Sequence, residues 1–214
     1  MAATLLLSLL PLRSVEALDV SQLQAVLRKL GGNSQSFTDW QQLLQTSQTL
    51  PVSARLKTVN EFFNRRTRFL TDQEIWRQSD YWATPMETLA KGAGDCEDFT
   101  IAKYFTLLSL NIPVEQLRLI YVKARIGGMH STLQQAHMVL AYYPSPEAEP
   151  LVLDNLITDI RPASRRPDLT PVFSFNSEGI FRGVALNDKS PKGDVGQLSR
   201  WSELLKRART EGFD

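Results

Sequence analysis

The chain has 214 residues, of which 43% are hydrophobic and 22% are charged, and its formal net charge is +1. This length allows one compact domain with a core, and the composition excludes an intrinsically disordered chain. Because positive and negative charges nearly balance, no long-range field favours binding to nucleic acid or to an acidic membrane surface.

The first predicted element is an export signal at residues 1–17. An apolar run from Ala3 to Leu12 is followed by the sequence VEA at 15–17, which supplies the small residues that a signal peptidase needs. The alternative is a buried first helix. The run is too short to cross a bilayer of about 30 Å, and no other stretch is long and apolar enough. We therefore expect no integral membrane segment in the mature chain.

Helical spacing dominates the next part of the chain. Apolar residues recur at this spacing from Val20 to Leu30 and stop at a Gly-Gly pair, which predicts a first helix with a C-terminal breaker. A second amphipathic stretch surrounds Trp40. Pro51 fits the first position of a third, long helix. The side chains predicted to face inward on this third helix are Val52, Leu56, Val59, Phe62, Phe63 and Phe69.

The segment that follows Gly94 is apolar on nearly every side as far as Leu110. A surface helix has one apolar face, whereas a helix that is apolar all round is buried. This segment is therefore predicted to form the central helix of the domain, with Cys96 at its N-terminus.

Beyond Pro113 the pattern changes to short runs of β-branched and aromatic residues, which predict strands. The clearest runs are 117–124, 137–143 and 151–156, and two further candidates are 172–175 and 179–184, on either side of a turn at 176–178. The last predicted element is a basic helix from Leu198 to Arg209.

Helices followed by an antiparallel sheet predict an α+β fold. We expect a single domain over residues 18–214, with a helical part at about 18–112 and a sheet part at about 113–214.

Cys96 is the only cysteine, so it can form no internal disulfide, although exported proteins usually pair their cysteines. A free cysteine is commonly a small buried hydrophobe. Here the sequence GAGDCEDF places the thiol at a helix N-terminus, where the helix dipole and free N–H groups favour an anion and lower a thiol pKa. The same N–H groups, including that of Cys96, are placed to bind the oxyanion of a tetrahedral intermediate. The pattern favours a nucleophile.

A cysteine nucleophile needs a base, and the chain has two histidines. His137 opens a predicted strand that can aim its ring, whereas His130 lies in a Gly-rich loop, so we choose His137. The alternative is a structural histidine. Asp154 stands in an otherwise apolar run, where a buried carboxylate needs a partner, and it is the candidate to orient the imidazole. Asn155 is the alternative, but on a regular strand it points to the opposite face.

Three carboxylates, Asp95, Glu97 and Asp98, surround Cys96. Acidic residues are common in a first helical turn, where they interact favourably with the helix dipole. Three of them exceed the half charge that one dipole end supplies, and like charge raises a thiol pKa. A hard cation such as Ca²⁺, which binds six to eight oxygen atoms, would offset this charge. Because consecutive helical side chains diverge, Asp95 and Glu97 are the stronger candidates.

The chain resembles the bacterial transglutaminase-like cysteine peptidases of the LapG type. The resemblance is carried by DYWATPMETLAKGAGDCEDFTIAKYFTLLSLNIP at 80–113 and by the runs QAHMVLAYY and LVLDNL, and it covers roughly residues 71–160. It implies a papain/transglutaminase-like fold, in which a helical lobe carries the nucleophile at the start of a central helix packed on an antiparallel sheet. The site residues that it implies are Cys96 as nucleophile, His137 as general base and acid, Asp154 as orienting carboxylate, and Asp95, Glu97 and Asp98 as calcium ligands.

The resemblance also implies a biological role. Enzymes of this type are periplasmic, need calcium and cut a large surface adhesin near its N-terminus, which releases the bacterium from a biofilm. An inner-membrane receptor with a periplasmic sensor domain holds them inactive under the control of cyclic-di-GMP. Tyr81 and Trp82 are candidate receptor contacts, and the alternative is that they are core aromatics.

Two other functions share this pattern of residues. A transglutaminase-type acyl transferase passes through the same acyl-enzyme but hands it to an amine. A non-catalytic binding module could keep the fold, although this chain retains all three catalytic residue types.

Overall fold

The computed structural model describes residues 18–128, 130–182 and 198–213. The predicted export signal at 1–17 and the end of the last predicted strand, at 183–184, lie outside these residues. Within the described ranges, no helix combines the length and the apolar character that crossing a membrane requires.

Helices precede the main sheet along the chain, and one helix follows it. The helices of the described residues are α1 (Val20–Lys29), α2 (Ser34–Ser47), α3 (Val52–Arg66), α4 (Asp72–Ile75), α5 (Pro85–Lys91), α6 (Cys96–Ser109) and α7 (Ser199–Glu211). The strands are β1 (Arg68–Phe69), β2 (Ala93–Gly94), β3 (Leu117–Arg125), β4 (Gln134–Tyr142), β5 (Leu151–Leu153), β6 (Arg161–Pro162), β7 (Leu169–Asn176) and β8 (Gly179–Arg182).

The three predicted N-terminal helices form close to their expected positions. α1 buries Leu23 and Leu27, and α2 buries Trp40. Pro51 is the N-cap of α3 rather than its first residue, so this helix starts one position later than predicted.

The prediction that Phe69 faces inward on α3 is wrong. The helix ends at Arg66 because the next residue, Thr67, has an extended backbone. Phe69 therefore lies in β1, where 52% of its surface is exposed. Helical spacing no longer applies once the chain has left the helix.

The main sheet has six antiparallel strands in the order β6-β5-β4-β3-β7-β8. β3 and β4 pair along their full length, from Leu117 opposite Tyr142 to Arg125 opposite Gln134. Successive side chains of a strand point to opposite faces, and β3 divides its apolar residues accordingly between the main core and a smaller cluster on the far face.

α6 is the buried helix that the sequence predicts. It contacts both α3 and β4, and Ile101, Tyr104 and Leu107 are fully buried on it. The helix begins at Cys96, and Asp95 caps it. The fold thus places the single cysteine at the end of the central helix, against the sheet.

α7 returns to the helical side and anchors an aromatic cluster. Trp201 of α7 packs edge-on against Phe175, and Trp82 stacks on the same ring with centroids 5.7 Å apart. The hydroxyl of Tyr81 donates a hydrogen bond to Glu87. These contacts favour the core interpretation of Tyr81 and Trp82 over a role as receptor contacts.

Candidate active site

His137 and Asp154, the predicted base and its orienting carboxylate, are in direct contact. Nε2 of His137 lies 2.8 Å from Oδ1 of Asp154, and the two residues are only 5% and 1% exposed. Asp154 follows β5 and is not within the strand, so the predicted strand at 151–156 is too long. The strand ends because the carboxylate accepts the backbone N–H of Leu156 at 3.0 Å, which turns the chain.

The two alternatives to this pair do not occupy the site. His130 lies exposed in the loop between β3 and β4, as predicted. Asn155 is the alternative to Asp154, but among the described residues its Oδ1 atom is buried with no hydrogen-bond partner. The structure therefore brings His137 together with Asp154.

Positive charge surrounds the Asp154 carboxylate. Nη2 of Arg166 donates to its Oδ2 atom at 2.7 Å. Burial alone would raise the pKa of Asp154, but the hydrogen bonds from His137, Leu156 and Arg166 outweigh it and lower the pKa to about 2. Lys103, on α6, is also buried, and burial lowers its pKa to about 7 while Asp154 opposes this shift. Neither Arg166 nor Lys103 has a sequence signal that marks it as part of a site.

Cys96 lies where α6 meets β4. The hydroxyl of Thr100 is 2.8 Å from the carbonyl oxygen of Cys96 and 3.1 Å from that of Met138, so it ties the first turn of the helix to the strand. The backbone N–H of Met138 also interacts with the thiol. The sulfur thus lies beside the residue that follows His137.

Among the described residues, the thiol of Cys96 donates its hydrogen bond to Glu97 and not to His137. The Sγ atom is 2.7 Å from Oε2 of Glu97. Burial raises the pKa of the thiol, and the negative charge of Glu97 raises it further. In the present arrangement burial and the adjacent carboxylate thus shift this pKa in the direction opposite to the one expected from the helix N-terminus.

Four acidic residues near the start of α6 form what we call the carboxylate cluster: Asp72, Asp95, Glu97 and Asp98. One ligand atom from each of Asp72, Asp95 and Asp98 lies within 4.8 Å of the others, and the same holds for Asp95, Cys96 and Glu97. Each of the three predicted metal ligands thus lies in one of these groups, and Asp95 belongs to both.

Two glycines allow this crowding. Gly92 ends α5 with a left-handed backbone, at φ 57°, which an ordinary residue adopts with strain. At Gly94, a Cβ atom would lie 2.6 Å from Cβ of Asp98. The glycines of the GAGDCEDF sequence are thus needed for a turn and for a close approach.

Asp72 belongs to the carboxylate cluster although no sequence signal marks it. The parallel pairing of β1 with β2 places Arg68 opposite Ala93 and Phe69 opposite Gly94. Asp72, shortly after β1, is thereby brought beside Asp95, which directly follows β2. Two strands of two residues each carry no recognisable periodicity, so the sequence offered no signal for this contact.

The charge of the carboxylate cluster suits a hard cation. Burial, together with Glu97 and Asp98, raises the pKa of Asp95 to about 9, and burial also raises the pKa of Asp72 and of Asp98. Oδ1 of Asp72 is buried and has no hydrogen-bond partner among the described residues. Several carboxylate oxygens with an unsatisfied buried atom among them match the ligand preference of Ca²⁺. The residues present therefore fit a calcium ion.

Comparison with known proteins identifies the family. The family model for bacterial transglutaminase-like cysteine proteinases matches residues 34–167. A solved structure of Legionella pneumophila LapG is similar, with 42% identity and a TM-score of 0.73, and the match covers 88% of this chain and 96% of that chain. No curated protein matches the chain.

Two further structures of the Legionella protein extend this likeness. The EGTA-treated form has 42% identity and a TM-score of 0.74 over 88% of this chain and 96% of that chain. The calcium-bound form has 41% identity and a TM-score of 0.71 over 88% of this chain and 98% of that chain. The predicted α+β, transglutaminase-like fold is confirmed, and the chain belongs to the bacterial transglutaminase-like cysteine proteinases.

Proposed function

We propose that the protein is a calcium-dependent cysteine endopeptidase in which Cys96 is the nucleophile, His137 the general base and acid, and Asp154 the orienting carboxylate. The observation that carries this proposal is the buried contact between His137 and Asp154. His137 directly precedes Met138, whose backbone N–H interacts with the thiol of Cys96. Membership of a proteinase family favours hydrolysis over acyl transfer to an amine and over a non-catalytic module.

The contact with Asp154 decides which ring nitrogen acts. Because the carboxylate accepts a hydrogen bond from Nε2, that atom carries the proton and Nδ1 is left as the basic nitrogen. Nδ1 takes the thiol proton as Sγ of Cys96 attacks the carbonyl carbon of the peptide bond. The C–N bond then breaks, His137 protonates the departing amine, and water hydrolyses the thioester with His137 again acting as base.

In the present arrangement the Glu97 carboxylate opposes this chemistry. It accepts the hydrogen bond of the thiol, and its negative charge disfavours a thiolate. We propose that Asp72, Asp95, Glu97 and Asp98 hold a calcium ion. When bound, the ion supplies positive charge that offsets the negative charge of these carboxylates. Support comes from the unsatisfied Oδ1 atom of Asp72 and from the existence of a calcium-bound form of the Legionella relative.

The substrate and setting that we propose follow the resemblance to the LapG type. The chain is exported to the periplasm and cleaves a large surface adhesin near its N-terminus, which releases the adhesin and promotes biofilm dispersal. An inner-membrane receptor that senses cyclic-di-GMP holds the enzyme inactive. The 42% identity to Legionella pneumophila LapG supports this proposal.

The test uses the N-terminal segment of a large repeat adhesin from the same organism as substrate. Wild-type protein should cleave it at one region, and Cys96→Ala should fold normally and cleave nothing, because the nucleophile is replaced by a residue of similar size. Iodoacetamide should inactivate the wild type, and EGTA should abolish cleavage until Ca²⁺, but not Mg²⁺, is added in excess.

A matched control is His130→Ala, which removes the exposed histidine and should leave cleavage unchanged beside an inactive His137→Ala. Normal cleavage by Cys96→Ala would refute the proposed nucleophile. Cleavage that continues in excess EGTA would refute the calcium requirement alone.

A further inference from the structure

Behind Asp154, on the side away from His137, lies a buried arginine that the proposed reaction does not use. We infer that Arg166 is a positioning residue, which fixes the Asp154 carboxylate so that its other oxygen stays on the ring of His137. This inference rests on the proposed function, because it gives Arg166 a role through the proposed orienting carboxylate.

The geometry divides the Asp154 carboxylate between two tasks. Oδ1 faces the site and accepts from Nε2 of His137 at 2.8 Å and from the backbone N–H of Leu156 at 3.0 Å. Oδ2 accepts from Nη2 of Arg166 at 2.7 Å. A carboxylate bonded through one oxygen can rotate about its Cβ–Cγ bond, whereas one bonded through both oxygens has a fixed plane. The bond from Arg166 therefore sets the direction in which Oδ1 points.

Arg166 is itself held in place. Its Nε atom donates to Oδ1 of Asp168 at 3.0 Å, and its Nη2 atom donates to Oδ2 of Asp168 at 2.7 Å. Its backbone N–H donates to the carbonyl oxygen of Ala163 in the preceding 3₁₀ turn. The guanidinium plane is thus fixed by a second carboxylate and cannot swing away from Asp154. An arginine suits this position because its planar fork bonds two acceptors in fixed directions, which a lysine cannot do.

The cost of this arrangement argues against a purely stabilising role. Arg166 is 2% exposed, and among the described residues its Nη1 atom is buried without a hydrogen-bond partner. A cavity of about 150 Å³ lies against it, lined otherwise by apolar residues such as Val139 and Val152. Buried ion pairs often stabilise a fold no better than well-packed apolar residues do. An apolar side chain that filled the cavity would therefore serve packing at least as well, but it could not hold Asp154.

A second buried cation, Lys103, also attracts the Asp154 carboxylate, which is a further reason for Arg166 to hold it. Lys103 is buried on α6, and it and Asp154 interact electrostatically. Without Arg166, the Oδ2 atom would lose its hydrogen-bond partner, and the attraction of Lys103 would act on a carboxylate that is free to rotate. His137 would then lose the acceptor that fixes its tautomer.

The test compares Arg166→Gln, Arg166→Lys and Arg118→Gln in the full mature chain with calcium. Arg118 is the matched control, since it is 3% exposed in β3 and packs on the ring of Phe181 at 3.6 Å. A structural role for a buried arginine should show equally in both glutamine variants. A positioning role should show only at Arg166.

The first readout is the proton resonance of the hydrogen-bonded Nε2–H of His137. It can be assigned because the chain has two histidines and the other is exposed. We expect this resonance in the wild type and in Arg118→Gln, a weaker one in Arg166→Lys, and none in Arg166→Gln. The second readout is cleavage of the adhesin segment. In Arg166→Gln, kcat should fall roughly 10–100-fold with KM changed less than about twofold. A loss of this size is typical when a residue that orients a functional side chain is removed.

A resonance retained in Arg166→Gln with wild-type kcat would overturn the inference, as would an equal loss in Arg118→Gln. If Arg166→Gln does not fold, Arg166→Lys decides, since a wild-type resonance and kcat in that variant would also overturn it. Asp154→Asn separates this inference from the proposed function. Wild-type cleavage by Asp154→Asn refutes the proposed triad, whereas an inactive Asp154→Asn beside a fully active Arg166→Gln refutes only the role of Arg166.

Discussion

The protein buries charge in two places near Cys96, and only one of them is neutralised by its own side chains. His137, Asp154, Arg166 and Asp168 form a chain in which each carboxylate contacts a basic group. By contrast, no ion pair among the described residues includes a member of the carboxylate cluster, since Arg200, whose charge acts on Asp72, pairs with Asp80 at 3.0 Å. The consequence is visible in two aspartates. Hydrogen bonds overcome burial and lower the pKa of Asp154 to about 2, whereas burial and neighbouring acids raise that of Asp95 to about 9.

The difference teaches which part of the site the chain completes by itself. The ring of His137 is oriented by hydrogen bonds that the fold already supplies, so its proposed role as base requires no added group. The environment of Cys96, by contrast, depends on carboxylates that must either bind protons or bind a cation. The proposed base is therefore oriented by groups of the chain itself, whereas the proposed nucleophile would need the charge of a bound cation.

We call His137, Asp154, Arg166 and Asp168 the neutralised group. The largest expected effect comes from removing the charge of Asp154 within it. Asp154→Asn keeps the size of the side chain but removes the charge that stabilises the imidazolium and selects its tautomer. By analogy with the serine-protease aspartate, we expect kcat to fall on the order of 10⁴-fold. Steady-state cleavage of the adhesin segment measures the loss, and circular dichroism checks the fold.

Asp159→Asn is the control for Asp154→Asn, because its side chain is 77% exposed and pairs with Arg161 at the surface. It should keep full activity. An Asp154→Asn variant within tenfold of wild type, beside an inactive Asn155→Ala, would show that the neighbouring asparagine orients the ring.

The carboxylate cluster should respond to calcium in its stability. At a calcium concentration a thousand times the dissociation constant, a single site stabilises the folded state by about 4 kcal/mol. For a domain of this size the melting temperature should then rise on the order of 10 °C. Thermal unfolding in EGTA and in calcium measures the difference.

The double variant Asp95→Asn, Asp98→Asn should lose most of this stabilisation by calcium. It removes two like charges but keeps side chains that can cap α6, so in EGTA it should melt no lower than wild type. Calcium should then raise its melting temperature by little. A wild-type response to calcium in this variant would place the ion elsewhere.

Much of the secondary structure could be predicted from hydrophobic periodicity in the sequence. Periodicity was enough for α1, α2, α6 and the long strands, because each buries an apolar face of its own. It failed at Phe69, where the helix stops without a proline or glycine to mark its end. It also placed Asp154 inside a strand, since a side-chain hydrogen bond to Leu156 ends β5 and leaves no trace in hydrophobicity.

For the site, residue chemistry found the groups that are local in sequence or rare in composition. Cys96 is the only cysteine, His137 is one of two histidines, and Asp95 adjoins Cys96. Asp72 and Arg166 were missed because topology alone brings them in. Asp72 reaches the site through the pairing of two-residue strands, and Arg166 lies in a loop twelve positions beyond Asp154.

The smallest expected effect concerns Glu211, a buried carboxylate that lies outside both the neutralised group and the carboxylate cluster. Glu211, at the end of α7, accepts a hydrogen bond from the hydroxyl of Thr84 at 2.8 Å, and burial, reinforced by Glu87, raises its pKa to about 7. An acid whose pKa is higher in the folded protein stabilises the fold in its protonated form. This contribution is fully present below pH 4.5 and is lost as the pH rises through 7. Glu211→Gln mimics the protonated form and should avoid the loss.

The free energy of unfolding should therefore be similar for wild type and Glu211→Gln near pH 4.5, whereas at pH 8 the variant should be more stable by up to about 3 kcal/mol. Urea unfolding in EGTA at the two pH values measures this, and the carboxylate cluster contributes equally to both proteins. Glu203→Gln, at an exposed position of the same helix, should show no such pH-dependent gain. Equal stability of wild type and Glu211→Gln at pH 8 would mean that Arg207, whose charge acts on Glu211, neutralises it as Arg166 neutralises Asp154. Glu211 would then belong with the neutralised group, and the carboxylate cluster alone would carry uncompensated charge.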